Sequence, residues 1–287
     1  MDIESKKFLG QPKNFVSIFN ALLFDGQPVL KPEYLKDENS ELVMNVSSKH
    51  VDIIKRYEDG TYLDLFVIES QSYVDPSMVA RVMEYESVAR MRYIRQNFKK
   101  HVPMHTRLPM ILTVVLYVGE SKWNAAKRLS ELEIIHPGFE DMFNEFKLNL
   151  IELNTNHKYN TGEKATQDFF DLLRMIYRKQ VLKEDLDREF NRDALYFAYV
   201  VTKNKELLSI YNKSEKGDVK VCRALDEMFE ESTNKGIQMG IKQGIALNQF
   251  EVYQTMLDKG FSIKTIASIF SVSEESIKNL LMKAKFG

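Results

Sequence analysis

Asp52, the pair Asp59-Gly60 and the triplet Glu69-Ser70-Gln71 are the residues of this chain whose types and spacing suit chemistry. The apolar run Leu65 to Ile68 leads directly into Glu69, so the triplet closes a strand. Side chains alternate along a strand, which puts Glu69 and Gln71 on one face and Ser70 on the other. A hairpin folded at the turn-prone Asp59-Gly60 brings Asp52 roughly opposite Glu69. Two carboxylates so placed repel unless a hard cation bridges them. A carboxylate on one strand and E-x-Q on the next therefore suits Mg²⁺-assisted phosphodiester cleavage, with Mn²⁺ as an alternative ion. Solvated acidic residues at strand ends are common, however, and a Glu-x-Gln triplet recurs by chance, so the surrounding elements must decide.

Those elements read as follows. Phe15, Ile18, Phe19, Leu22 and Leu23 have helical spacing, with Asn14 as N-cap and Asp25-Gly26 as the stop. A short strand is expected at Glu41 to Val46, then the hairpin strands Val51 to Tyr57 and Thr61 to Gln71. Asp75-Pro76 opens a long helix running to about Lys99. Leu108 to Val118 is rich in β-branched residues and reads as a buried strand, and Lys147 to Leu153 as another. Helix, three strands, helix and two strands imply a mixed sheet flanked by helices. The polar segment Asn154 to Thr166 reads as a linker, placing a boundary near residue 160. Beyond it, helices are expected over Gln167 to Gln180, Lys183 to Lys203 and Val219 to Phe250, then in a final group.

Three further features stand on helices. Arg81, Arg92, Arg95 and Lys99 lie on the long helix, and the last three share a face that suits either phosphate contact or simple solvation. Gly236-Ile237, Gly240-Ile241 and Gly244-Ile245 repeat every four residues; each glycine costs a helix about 1 kcal/mol, so close helix packing must offset it. Self-association and packing within the chain are both open, while Lys235 and Lys242 make the segment too polar for a membrane. Ile263 to Phe270, a turn at Ser271-Val272-Ser273, and Glu274 to about Lys283 form a helix-turn-helix-like pair with Ser273 as cap. Ile266, Ala267, Val272, Ile277 and Leu281 are expected inward, leaving Lys278, Asn279 and Lys283 as DNA-facing candidates. Glu274 and Glu275 oppose that use, and a plain packing unit is the alternative. His101 and His105 are separated by Pro103, which spoils a helical metal pair, and Trp123 reads as packing.

Composition narrows the classes. Forty basic against 41 acidic residues give no global positive field, so nucleic acid must be met by a local patch. The single Cys222 excludes an internal disulfide. No signal peptide is visible, and the longest apolar run is too short for a bilayer. A cytoplasmic protein without a membrane partner is expected.

With Asp52, Glu69-Ser70-Gln71, Arg81 and Tyr85 in place, the chain resembles the recombination-promoting nuclease / putative transposase family of the PD-(D/E)XK nuclease superfamily. The likeness runs through Phe19 to Gly26, Ile68-Glu69-Ser70-Gln71-Ser72, Arg81-Val82-Met83-Glu84-Tyr85, and Leu116 to Glu120 with Trp123. The Gly-Ile repeats and terminal helix pair resemble the family's tail. The resemblance implies that Asp52 and Glu69 hold Mg²⁺, that Gln71 stands where the superfamily usually has lysine, and that Arg81 and Tyr85 support the site or the DNA phosphate. A neutral amide orients a water but brings no charge. Lys55, three residues from Asp52, faces the other side of a regular strand. The first helix lacks the acidic residue many superfamily members carry, which points to a single ion.

The expected fold is thus α/β: a PD-(D/E)XK restriction-endonuclease-like core over residues 1–160 and an all-helical C-terminal region. That region divides into a helical part, 161–230, and the repeat helix with its helix-turn-helix-like tail, 231–287. The expected function is a Mg²⁺-dependent DNA endonuclease associated with recombination or mobile elements. A metal-activated water would attack the phosphodiester, with Asp52, Glu69 and Gln71 as catalytic residues and a homo-oligomer formed through the tail. The alternative is a catalytically inactive DNA-binding or assembly protein that retains the fold.

Overall fold

The computed structural model describes residues 3–37, 53–60, 63–214 and 217–283 of the chain. Two compact units are present, Met1–Leu225 and Asp226–Gly287. The first opens with helices α1 (Ile3–Leu9) and α2 (Pro12–Phe24). Pro12, with its pre-set φ, starts α2 earlier than the expected Asn14 cap. Asn14 lies inside the helix instead, and its Nδ2 donates to Phe8 O at 2.9 Å, tying α2 to α1. Asp25 (φ 49°) and Gly26 (φ 77°) stop the helix in the left-handed region, as the Asp-Gly pair predicts.

A five-stranded sheet follows, in spatial order β1 (Leu35–Asp37), β2 (Ile53–Glu58), β3 (Leu63–Gln71), β4 (Ile111–Tyr117), β5 (Asn149–Glu152). The first three strands are antiparallel neighbours, whereas β3–β4 and β4–β5 are parallel. Helix α3 (Met78–Asn97) makes the β3-to-β4 crossover that a parallel pair requires. Helix, strands, helix, strand is the order expected for the restriction-endonuclease-like core. The expected strand at 41–46 lies outside the described residues, and β1 forms in a segment read as polar connection.

The two faces of the sheet have different partners. Phe66 meets Phe19 of α2 at 4.8 Å between ring centroids, and Tyr57 meets Phe66 at 5.7 Å. On the opposite face Ile54, Val67 and Ile111 form a buried cluster with Tyr85 and Ala89 of α3. Val115 and Tyr117 continue that face into a second cluster with Met78, Val79, Val82 and Trp123. Trp123 is packing, as expected: it stands edge-on to Tyr117 and its Nε1 donates to Ala125 O at 3.0 Å.

The division at residue 160 falls inside the first unit. Helix α4 (Lys164–Arg178) is fastened to α2 by Ser17 Oγ donating to Thr166 Oγ1 at 2.8 Å. The single helix expected over 183–203 is replaced by a two-residue strand, β6 (Glu189–Phe190), and α5 (Arg192–Thr202). The reason is local: Asn191 accepts from the backbone of Asp193 and Ala194, which starts a new helix there. Asn204 repeats the device for α6 (Lys205–Lys213). Strand β7 (Val219–Lys220) pairs with β6, so the region after the core is helical apart from this short ladder.

Helix α7 (Cys222–Asp258) leads into the second unit. With α8 (Ile263–Phe270) and α9 (Glu274–Lys283) it encloses a small core of Tyr253, Ile266, Ala267 and Ile277. Ser273 accepts from Ser276 N at 3.1 Å, the expected cap of α9. Val272, expected inward, is instead exposed, because Ser271 adopts φ 54° and turns the chain outward before it. Among the described residues no helix is long and apolar enough to cross a membrane.

Candidate functional site

Alternation along β3 places Val67, Glu69 and Gln71 on the face covered by α3. Glu69 is thereby taken to 2% exposure at the C-terminal end of the strand, where a lone carboxylate is strongly disfavoured. Its Oε1 accepts two hydrogen bonds, from Gln71 Nε2 at 2.9 Å and from Arg81 Nη2 at 3.0 Å. The first of these comes from the strand's own two-residue period. The second comes from the first turns of α3, which begins just beyond the strand.

Arg81 is the hub of the cluster. Its Nη1 donates to Asp75 Oδ2 at 2.5 Å, while Nε and Nη2 donate to Tyr85 Oη at 3.1 and 2.8 Å. Four of its five guanidinium N–H groups are thus directed at named protein partners. Burial opposes the charge on Arg81, but the bonds to Tyr85 and Asp75 and the field of Glu69 outweigh it and raise its pKa further. Burial likewise opposes ionisation of Asp75; the donors Ser77 and Arg81 win, and its carboxyl is held below the ordinary value. Burial raises the Tyr85 phenol, only partly offset by Arg81.

Asp75 has a different task from the one its sequence position suggests. It does not cap α3 directly, since the helix begins at Met78. Its Oδ1 accepts from Ser77 N at 2.9 Å and Ser77 Oγ at 2.7 Å, closing a turn before the helix. The other oxygen faces Arg81. Sequence reasoning missed this partnership; an acid in the short connection between E-x-Q and the helix carrying R-x-x-x-Y is the signal that points to it.

The structure brings Glu69, Gln71, Arg81 and Tyr85 together. Asp52 lies outside the described residues; its chain neighbour Ile53 pairs with Ile68, the residue before Glu69. Lys55 is on the other face, in register with Phe66, and its Nζ meets Asp37 Oδ1 at 2.5 Å. The other cations of α3 do not join the cluster. At 1.5 Å per residue, Arg92 and Arg95 lie about 16 and 21 Å further along the helix than Arg81. Lys99 is past the helix end at Asn97, so the shared helical face expected for all three does not extend to it. Phe98, at φ −128° and ψ 97°, is extended and ends the helix two residues early. Lys278 and Asn279 are exposed on α9, and the side chain of Lys283 is outside the described residues.

A hard divalent cation fits the donor chemistry in part. Glu69 offers a carboxylate, but the described residues contain no group of three or more His, Cys, Asp or Glu that could hold a metal. Asp52 would have to complete such a site. Glu69, Asp75 and Arg81 together carry one net negative charge, which suits a cation better than an anion.

No curated protein matches the chain, and no solved structure does. Residues 33–207, more than half of the chain, match the family described as "Putative transposase, YhgA-like". The span covers the sheet, the Glu69 cluster and helices α3 to α5, and the chain belongs to that family.

Proposed function

We propose that the protein is a Mg²⁺-dependent DNA endonuclease acting in recombination or the movement of mobile elements. The observation that carries the proposal is the buried Glu69, held with Gln71 at the end of β3 in a member of a transposase-named family. Asp52 and Glu69 would hold the ion, Mg²⁺ or Mn²⁺. When bound, that ion supplies Lewis-acid stabilisation of the phosphodiester and lowers the pKa of the attacking water. Gln71 would orient water through its amide, Arg81 fixes the carboxylate that Gln71 touches, and Tyr85 holds Arg81. Arg92, Arg95 and Lys99 would follow the DNA backbone away from the cut, adding affinity that falls with salt. Lys278, Asn279 and Lys283 on α9 would give a second, independent DNA contact.

Self-association through the C-terminal helices belongs to the same proposal. An added Cβ at Gly236, Gly240 or Gly244 meets nothing within 4 Å, and Ile237, Ile241 and Ile245 are each more than half exposed. A second copy of α7 is the partner that would use both stripes.

Plasmid nicking tests the catalytic reading: wild type should nick with Mg²⁺ or Mn²⁺, and Asp52→Ala or Glu69→Ala should not while still binding DNA. A catalytically inactive DNA-binding or assembly protein is the second reading. It is favoured by the neutral Gln71 and by Arg81 already compensating Glu69. That reading predicts a mobility shift on DNA without cleavage by any variant.

A further inference from the structure

The near-neutral charge of the chain hides two segregated stretches in its first unit. Residues 87–119 contain six basic side chains and no acidic one, whereas residues 129–146 contain five acidic side chains and no basic one. Among the described residues none of those acids forms an ion pair, and of those cations only Arg90 does, with Glu86.

The acidic stretch is a loop closed at its neck. Leu129 N donates to Phe146 O and Leu148 N to Lys127 O, each at 2.9 Å, and Leu129 and Leu148 are buried in the cluster around Trp123. Beyond that neck Leu132, Ile134, Phe139 and Met142 are all exposed, Ile134 completely. Large apolar side chains gathered on one anchored loop mark a contact surface, unlike the same residues scattered singly. The basic stretch carries the same mixture with the opposite sign. Met91 near the end of α3, and Val102 and Met104 just beyond it, are exposed among Arg95, Lys99 and Lys100. DNA would cover those cations but leave the three apolar side chains in water, and its phosphates repel the acidic loop. A second copy of the chain matches both surfaces in charge and in apolarity.

We propose that the 131–142 loop of one copy docks on the end of α3 and the following 98–107 segment of a second copy, a contact separate from association through α7. The apolar side chains of the two surfaces are buried against one another, and Glu133 and Asp141 face the cations of the basic stretch. This goes beyond the nuclease reading, although it uses Arg95 and Lys99, which that reading gives to the DNA backbone.

Carbodiimide cross-linking of mixed isotope-labelled and unlabelled full chains tests the contact, because it joins only carboxylates and lysines that touch. The expected products are mixed-label peptides linking Glu133, Glu140 or Asp141 to Lys99 or Lys100, suppressed at high salt. Charge reversal is the second arm. Arg95→Glu with Lys99→Glu makes the end of α3 acidic, and Glu133→Lys with Asp141→Lys makes the loop basic; all four positions are exposed, so the fold is kept. In sedimentation velocity each variant alone should associate at least about tenfold more weakly than wild type. An equimolar mixture of the two should recover, because each loop again meets a helix end of opposite sign. Cross-links found only within one copy or only in α7 to α9, or a mixture no more associated than its separate variants, overturns the docking. Neither arm contains DNA or added metal, so its failure leaves the nuclease reading untouched, and absence of plasmid nicking leaves the docking untouched.

Discussion

Replacing Arg81 by methionine should destabilise the first unit by about 3 kcal/mol, the low end of the range for stranding one side of a buried ion pair. Glu69 is nearly inaccessible and Asp75 is buried, so both lose their guanidinium without gaining water freely. The low end is appropriate because Asp75 keeps its two Ser77 donors and Glu69 keeps Gln71. For a unit the size of Met1–Leu225, such a loss lowers Tm by about 6–12 °C. Thermal unfolding followed by circular dichroism, in EDTA to remove any metal contribution, reads this directly. The neighbouring change Glu69→Gln removes one of the stranded charges, so the two substitutions should be coupled by about 1–3 kcal/mol in a double-mutant cycle. A Tm for Arg81→Met within 2 °C of wild type, or strictly additive effects, would refute the reasoning.

Glu86 offers a pH test. Its carboxyl is raised above 4.5 by burial, only partly offset by the Thr113 N–H at 3.0 Å and by Arg90. A raised carboxylate contributes stability below its unfolded value that is lost as pH rises through the folded one. Glu86→Gln should therefore raise Tm at pH 8 and have little effect at pH 4; the opposite dependence contradicts the assignment. Alanine at Gly236, Gly240 and Gly244 should stabilise α7 by up to about 1 kcal/mol each while weakening self-association in sedimentation equilibrium. An unaltered oligomer would show that the glycine stripe is not the contact. Lys55→Gln should leave cleavage per folded molecule unchanged, since Lys55 faces away from Glu69 and pairs with Asp37. A loss of cleavage comparable to that of Glu69→Ala would show that Lys55 takes part in the mechanism.

The parts of the site legible in the sequence were those set by local periodicity. Alternation along β3 put Glu69 with Gln71 and apart from Ser70, and the same rule placed Lys55 on the other face, as its register with Phe66 shows. Arg81 and Tyr85 came from the family resemblance alone; four residues apart on α3, they are joined by hydrogen bonds. What escaped were choices made by competing caps and by tertiary distance. Asp75-Pro76 has the form of a helix start, but Asp75 closes a turn on Ser77 and reaches Arg81 six residues on. Pro12 pre-empted Asn14 at the head of α2, Asn191 cut the helix expected over 183–203, and Asn204 started a further helix, α6, beyond it. Arg188 adds a pairing that no period discloses, joining Asp168 at 2.6 Å and Asp171 at 2.8 Å to hold β6 against α4.

The most direct test of the central claim is the rate of plasmid nicking by wild type and Glu69→Gln at matched folded concentration, with Mg²⁺ and with EDTA. The isosteric amide keeps an acceptor for Arg81 and removes only the charge. The account predicts nicking by wild type that EDTA abolishes and a loss of at least about 100-fold in Glu69→Gln, the scale of several kcal/mol of metal stabilisation. Wild type that does not nick with Mg²⁺ or Mn²⁺, or Glu69→Gln that nicks at the wild-type rate, would contradict it.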